Sequence, residues 1–239
     1  YFQATKASGN GGFRMMVFAP STVQEAVDMT YRAFDYADRD RNPVLILADG
    51  VIGTMMEPVV LPEMKSDEEI AAIKENKKSW ACVGHKLDYA NRSWIQPGQW
   101  DTLKMQAWNE DAAAVYDSWE KDVQYESYQV EDAEVVITSY GISARIAKSA
   151  VDICRREGKK VGLIRAITVS PFPYQAYDAI DYSKCKAVLD VEMSIPAQFV
   201  QDVEMGVKDR CPIETCLCSG GNIMSREAIL DAVNKLLAK

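Results

Sequence analysis

The chain has 239 residues, 48 % of them hydrophobic and 26 % charged, with a formal net charge of −8. That is a globular composition with room for one large domain or two ordinary ones. The acidic balance argues against nucleic-acid or anionic-membrane partners, which reward basic surface, and no apolar run approaches the ~18 residues of a membrane span.

Residues 1–13, "YFQATKASGNGGF", are polar and glycine-rich and read as a loop. They carry no initiator Met and no apolar leader core, so the chain is expected to be a piece of something longer. "RMMVFAP" is a short buried strand closed by Pro20. Ser21 with Gln24 three residues on has the form of a capping box. Apolar residues then recur at Val23, Ala26, Val27, Ala33, Phe34 and Ala37, which predicts an amphipathic helix stopped at Arg41-Asn42-Pro43. Val44–Leu47 reads as a second buried strand, so this stretch is a βαβ unit with parallel strands.

The loop "ADGVIGTMMEP" follows that strand. It is neither a dinucleotide fingerprint nor a P-loop, since only Gly50 and Gly53 are present and no Gly-Lys-Ser/Thr follows. Gly50 is expected to supply a positive-φ turn. Asp49 either accepts backbone N–H groups as a turn cap or points at a ligand. Residues 63–100 break the rhythm with a charged run and then aromatics among turn residues, an excursion rather than a core unit. Residues 99–128 have near-helical spacing at Leu103, Ala107, Trp108, Ala112, Val115, Trp119 and Val123, which suits either an inter-domain brace or one side of an ordinary core.

From Val130 onward strands and helices alternate. "AEVVITSYG" precedes a helix closed by Gly158; "KVGLIRAI" and "KAVLDVEMS" are strands; "AQFVQDVEMGVKD" is a helix; "PIETCLCSGG" is a strand; "SREAILDAVNKLLAK" is the last helix. This is an open, doubly wound α/β domain. In such folds ligands meet the carboxyl ends of the strands. There, Ser143 reads as a helix N-cap beside potential anion donors, Arg165 and Glu192 as charged residues able to meet a ligand or each other's kind, and Gly220-Gly221 as a turn. Six cysteines are scattered through core-like segments, which suits reduced thiols in a cytoplasm. Cys211, Cys216 and Cys218 form C-x4-C-x-C, not a zinc or iron–sulfur spacing, and packing is the expected use. The single histidine, His85, lies in a polar setting that does not suggest a nucleophilic triad.

Two long stretches together resemble one family. "APSTVQEAVDMTYRAFDYADRDRNPVLILADGVIGTMMEPV" and "AEVVITSYGISARIAKSAVDICRREGKKVGLIRAITVSPFP" are similar to the α subunit of the 2-oxoacid:ferredoxin oxidoreductases, as are "VLDVEMS" and the final "SGG". The wording is nearest to the branched-chain (2-oxoisovalerate) members, with the 2-oxoglutarate members next. The resemblance implies the C-terminal part of a thiamine-pyrimidine-type parallel-sheet domain over residues 1–128. A transketolase-C-terminal-like open α/β domain would then occupy residues 129–239. It implies oxidative decarboxylation of a 2-oxoacid, with the acyl group passed to coenzyme A and electrons to ferredoxin. Thiamine diphosphate and Mg2+ would lie at the interface with a β subunit, iron–sulfur clusters would lie in partner subunits (β, and γ or δ), and this chain alone would bind none of them. Gln3, Thr5, Lys6, Asp49, Gly50 and Gly53 are then the candidate cofactor-binding or subunit-interface residues, with no metal ligand among them. The family's activating glutamate and its Arg-Gly-Gly-Pro stretch are expected upstream of Tyr1, so the chain by itself is expected to be inactive. It departs from the family at "ASGNGGF", where Asn10 replaces a usual histidine, at "EMSIPAQ", and at Ala166, where proline is common. Two other readings remain: a docking scaffold built on Trp94, Trp100, Trp108 and Trp119, and a flavodoxin-like nucleotide binder, which lacks a phosphate fingerprint.

Overall fold

The computed structural model describes residues 1–82, 98 and 100–239. His85 and Trp94 lie outside the described residues. Two compact units are formed, Tyr1–Val60 with Val115–Lys239, and Leu61–Ala114.

The first unit contains two sheets. One has three strands in the order β2-β1-β6, with β1 Met16–Phe18, β2 Val44–Ile46 and β6 Thr168–Ser170. β1 and β2 run parallel, as the βαβ reading requires, and α2 (Val23–Asp40) connects them. β2 is half-buried rather than fully buried. β6 pairs antiparallel with β1. The second sheet has five strands in the order β3-β5-β4-β7-β8: β3 Tyr125–Tyr128, β5 Val161–Ala166, β4 Val135–Tyr140, β7 Ala187–Glu192 and β8 Ile213–Leu217. All pairs are parallel except β3 with β5. Both faces of this sheet are covered, the arrangement that near-continuous apolar strands demand. Val135, Ile137, Leu163 and Leu189 pack with α6 (Gly141–Arg156) and α8 (Arg226–Leu237). Val136, Ile164 and Val188 pack on the other side with Tyr177, Phe199 and the apolar side of α7 (Val200–Val207).

Several local expectations change. Residues 2–5 form a helical turn, α1 (Phe2–Thr5), instead of loop, because Tyr1 and Lys6 are both held by Asp202. The cap of α2 falls on Thr22, whose side chain accepts from the Glu25 N–H, and not on Ser21. Ser21 instead donates through its N–H and Oγ to Glu25. The helix expected over 99–128 ends at Ser118 as α5 (Thr102–Ser118), and a 3-10 turn then leads into β3. Trp119 is 2 % exposed and packs with Met16, Phe18 and Met29 while its Nε1 donates to Asp40 at 2.8 Å. An indole buried this far contributes roughly 3 kcal/mol, so Trp119 is core and not a docking residue. Within the second unit, α4 (Asp67–Lys77) has the full capping box at Ser66 and Glu69, and Trp100 and Trp108 are exposed.

Candidate functional site

The Asp49 loop is built around one carboxylate. Asp49 is the N-cap of a short helix, α3 (Gly50–Thr54), and its Oδ1 accepts from the N–H groups of Val51 (3.0 Å) and Ile52 (2.9 Å). Its Oδ2 accepts from the N–H of Ile142, 3.0 Å away in the first turn of α6. One side chain thus caps two helices whose sequences are far apart. Gly50 begins α3 with ordinary helical backbone, and the expected positive-φ turn is at Gly141 instead. There φ is +60°, and a Cβ would stand 3.2 Å from Asp49 Oδ2, so glycine satisfies both the backbone and the close approach. Ser143, expected as the cap of α6, is buried inside the helix; Tyr140 occupies the cap position with no side-chain hydrogen bond. One donor that a cap would satisfy, the Ile142 N–H, is served by Asp49 instead.

This corner borders a cavity of about 480 Å3. Asp49, Gly50 and Thr54 line it together with Met193 after β7 and the Ser219–Asn222 turn after β8. It therefore lies at the carboxyl ends of the strands, where open α/β sheets receive ligands. Gly220 and Gly221 have φ of +70° and +86°, the turn expected from the sequence.

Two ion pairs brace the same region. Glu57 accepts from Arg145 Nη2 at 2.8 Å and from the Val23 N–H at 3.3 Å. Hydrogen bonding from Arg145 holds its carboxyl below the ordinary range. Arg165 grips Glu25 with both terminal nitrogens, Nη1 to Oε1 at 2.9 Å and Nη2 to Oε2. Burial pushes the Glu25 carboxyl up, but hydrogen bonds from Arg165 and Ser21 outweigh it and bring it below the ordinary value. Arg165 is 6 % exposed, so the pair is a fixed bidentate brace between α2 and β5. Glu192 accepts from the N–H groups of Gln198 and Phe199 and so anchors the entry to α7.

The remaining candidates fall elsewhere. Thr5 and Lys6 line a second cavity of about 830 Å3 with Arg14, Tyr174 and Asp202. Lys6 Nζ donates to Asp202 Oδ1 at 2.5 Å, and the fully buried Asp202 also accepts from the hydroxyls of Tyr1 (2.5 Å) and Tyr174 (2.8 Å). Thr5 Oγ1 donates back to the Tyr1 carbonyl. Gln3 and Gly53 are exposed and line neither cavity. The six residues are thus divided: Asp49 and Gly50 at one cavity, Thr5 and Lys6 at another. Sequence reasoning missed Asp202 and Glu25 as organising carboxylates. Each sits on an ordinary helical face, and only the distant cation or hydroxyl partners distinguish it.

The cysteines form no disulfide. Cys216 and Cys218 pack against the second core cluster, Cys216 touching Met224 Sδ at 3.9 Å. Among the described residues, no group of three or more His, Cys, Asp or Glu side chains is placed to hold a metal, and no helix is long and apolar enough to cross a membrane.

Comparison with known proteins places two family descriptions in succession on the chain. Residues 4–129 match "Pyruvate flavodoxin/ferredoxin oxidoreductase, thiamine diP-bdg", and residues 133–229 match "Pyruvate:ferredoxin oxidoreductase core domain II". The chain is 39 % identical to ketoisovalerate oxidoreductase subunit VorB of Methanothermobacter marburgensis, over 99 % of its own length and 64 % of that protein's. It is 31 % identical to 2-oxoglutarate synthase subunit KorA of Methanocaldococcus jannaschii, covering 82 % of this chain and 56 % of that one. The chain thus spans less than two thirds of either relative. Among solved structures, 2-oxoglutarate:ferredoxin oxidoreductase from Magnetococcus marinus, with 2-oxoglutarate, coenzyme A and succinyl-CoA bound, superposes with a TM-score of 0.71. That match covers 99 % of this chain and 44 % of the other at 20 % identity, a likeness of fold.

Proposed function

We propose that this chain, which belongs to the pyruvate flavodoxin/ferredoxin oxidoreductase family, is part of the α subunit of a thiamine diphosphate-dependent 2-oxoacid:ferredoxin oxidoreductase of the branched-chain type. The observation that carries the reading is the succession of the two family matches over residues 4–129 and 133–229. The higher identity to the ketoisovalerate subunit, 39 % against 31 % for the 2-oxoglutarate subunit, favours the branched-chain substrate. In this reading the chain divides near residue 128 into a pyrimidine-type domain and a transketolase-C-terminal-like domain. The complete enzyme works in the cytoplasm, takes a 2-oxoacid and coenzyme A, and passes electrons to ferredoxin through partner subunits. Exposed apolar side chains such as Met56 (98 %) and Trp100 (101 %) support subunit docking.

The residues present do not by themselves make a diphosphate or Mg2+ site. All three Asp49 interactions are with backbone N–H groups, and Lys6 is paired with Asp202. Neither is a ready ligand for the cofactor. In this reading Asp49 and Gly50 position the strand-end loop that faces the cofactor and the β subunit, while Gln3, Thr5, Lys6 and Gly53 belong to the subunit interface. Thiamine diphosphate, when bound, supplies the carbanion chemistry of decarboxylation.

The substrate is tested with the complete complex, isolated through its full-length α chain and given coenzyme A and a viologen acceptor. The 2-oxoacid of valine should be used with a kcat/KM at least tenfold above those of 2-oxoglutarate and pyruvate. A preference for 2-oxoglutarate would overturn the branched-chain assignment and leave the family reading in place.

A further inference from the structure

The cavity beside Asp49 is defined by what its wall lacks. It measures about 480 Å3, and no Lys, Arg or His is among the described residues that line it. Most polar side chains on the wall are already committed. Asp49 accepts from three backbone N–H groups, Thr54 Oγ1 donates to the Gly50 carbonyl at 2.9 Å, and Asn222 Nδ2 donates to the Ser219 carbonyl at 2.8 Å. The other large side chains on the wall are hydrocarbon or thioether: Val51 and Met193, both half-buried, and Ile223, which is 55 % exposed. They come from three separate places, α3, the chain just after β7 and the turn after β8.

A carboxylate brought into this space would give up water, meet no cation, and face the carboxylate of Asp49. An unpaired charge in such a place is costly, and a like charge adds to the cost. A branched hydrocarbon group has neither penalty and gains by leaving water.

We propose, resting on the assignment of the chain to a branched-chain 2-oxoacid oxidoreductase, that this cavity receives the side chain of the 2-oxoacid. Val51, Met193 and Ile223 are its specificity-determining residues, and Asp49 is the group that repels a distal carboxylate. The oxo and carboxylate groups that every 2-oxoacid shares stay at the mouth, outside the apolar wall. Asp49 has a second part in this pocket: by capping α3 and accepting from Ile142, it fixes the short helix that carries Val51. The space is larger than an isopropyl group, so the longer side chains of the leucine and isoleucine 2-oxoacids are admitted too. The methyl group of pyruvate leaves most of the wall without contact, and each missing methylene in an apolar pocket costs roughly tenfold or more in kcat/KM.

The test uses the complete complex, isolated through its full-length α chain, and reads the ratio of kcat/KM for 2-oxoisovalerate to that for 2-oxoglutarate. Ile223→Lys puts an ammonium group on the wall at a position exposed enough to accept it, and should lower this ratio at least about tenfold, chiefly through better use of 2-oxoglutarate. Ile223→Glu, of similar bulk and opposite charge, should not improve the use of 2-oxoglutarate. The position of the side chain is read separately in Ile223→Cys. Alkylation of that cysteine by iodoacetamide, followed at the residue by mass spectrometry, should slow several-fold under saturating 2-oxoisovalerate. A wild-type complex that prefers 2-oxoglutarate would overturn the substrate assignment itself. A wild-type preference for 2-oxoisovalerate, with a ratio that the Lys and Glu variants leave unchanged or change alike, or with alkylation that 2-oxoisovalerate does not slow, would overturn the pocket alone.

Discussion

Asp190 stands in the middle of β7 with both carboxyl oxygens buried and without a hydrogen-bonding partner. Burial, and then the charge of Glu192 two residues on, pushes its carboxyl up to about 9. An unfolded aspartate titrates near 4. Between those values the folded chain keeps a proton that the unfolded chain has released, so stability present below about pH 4 is lost progressively as pH rises toward 9. Asp190→Asn removes that titration. In urea denaturation the wild-type chain should lose on the order of 2–4 kcal/mol more than the variant between pH 5 and pH 9. Parallel pH profiles would show that Asp190 ionises normally in the fold. Nothing in "AVLDVEMS" distinguishes this residue, because a carboxylate in a buried strand stands out only when its missing partners are known.

At the scale of elements, the most consequential device is the double cap. The role of Asp49 as a turn cap for α3 could be read from its place before Gly50, since a capping carboxylate accepts the second and third N–H groups of its own helix. Its second role, toward Ile142, could not, because that residue lies 93 positions later in the chain. Asp49→Asn keeps a carbonyl oxygen for Val51 and Ile52 but turns an NH2 group toward the Ile142 N–H. The expected cost is roughly 1–2 kcal/mol, seen as a fall of about 2–8 °C in the unfolding midpoint. An unchanged midpoint would mean that α6 does not depend on this carboxylate. The short elements that the sequence pattern does not mark follow the same division. β3 and β6 are short segments stabilised by pairing with β5 and β1, partners from other parts of the chain. α1 exists because Asp202 gathers Tyr1 and Lys6. By contrast, β4, β5 and β7 are legible because each opens on a run of three or more apolar residues buried on both faces, which admits few alternatives.

At the scale of the molecule, the α/β class and the parallel core of the larger sheet follow from alternating apolar runs and amphipathic helices. The chemistry does not. Residue types and spacing alone left Asp49 divided between cap and ligand, and they pointed to no reaction. The functional reading rests instead on two long stretches whose resemblance agrees with the family matches over the same residues. The site was legible only where the local chain builds it: the Asp49 cap and the Gly220-Gly221 turn. The ion pairs Glu25–Arg165 and Glu57–Arg145 needed the fold to bring distant side chains together. We propose that this chain serves a thiamine-dependent decarboxylation. It is tested most directly by stripping thiamine diphosphate and Mg2+ from the complete complex and following 2-oxoacid-dependent viologen reduction with coenzyme A present. The account predicts loss of at least nine tenths of the rate and its recovery when both are restored; a rate that is indifferent to thiamine diphosphate would contradict it.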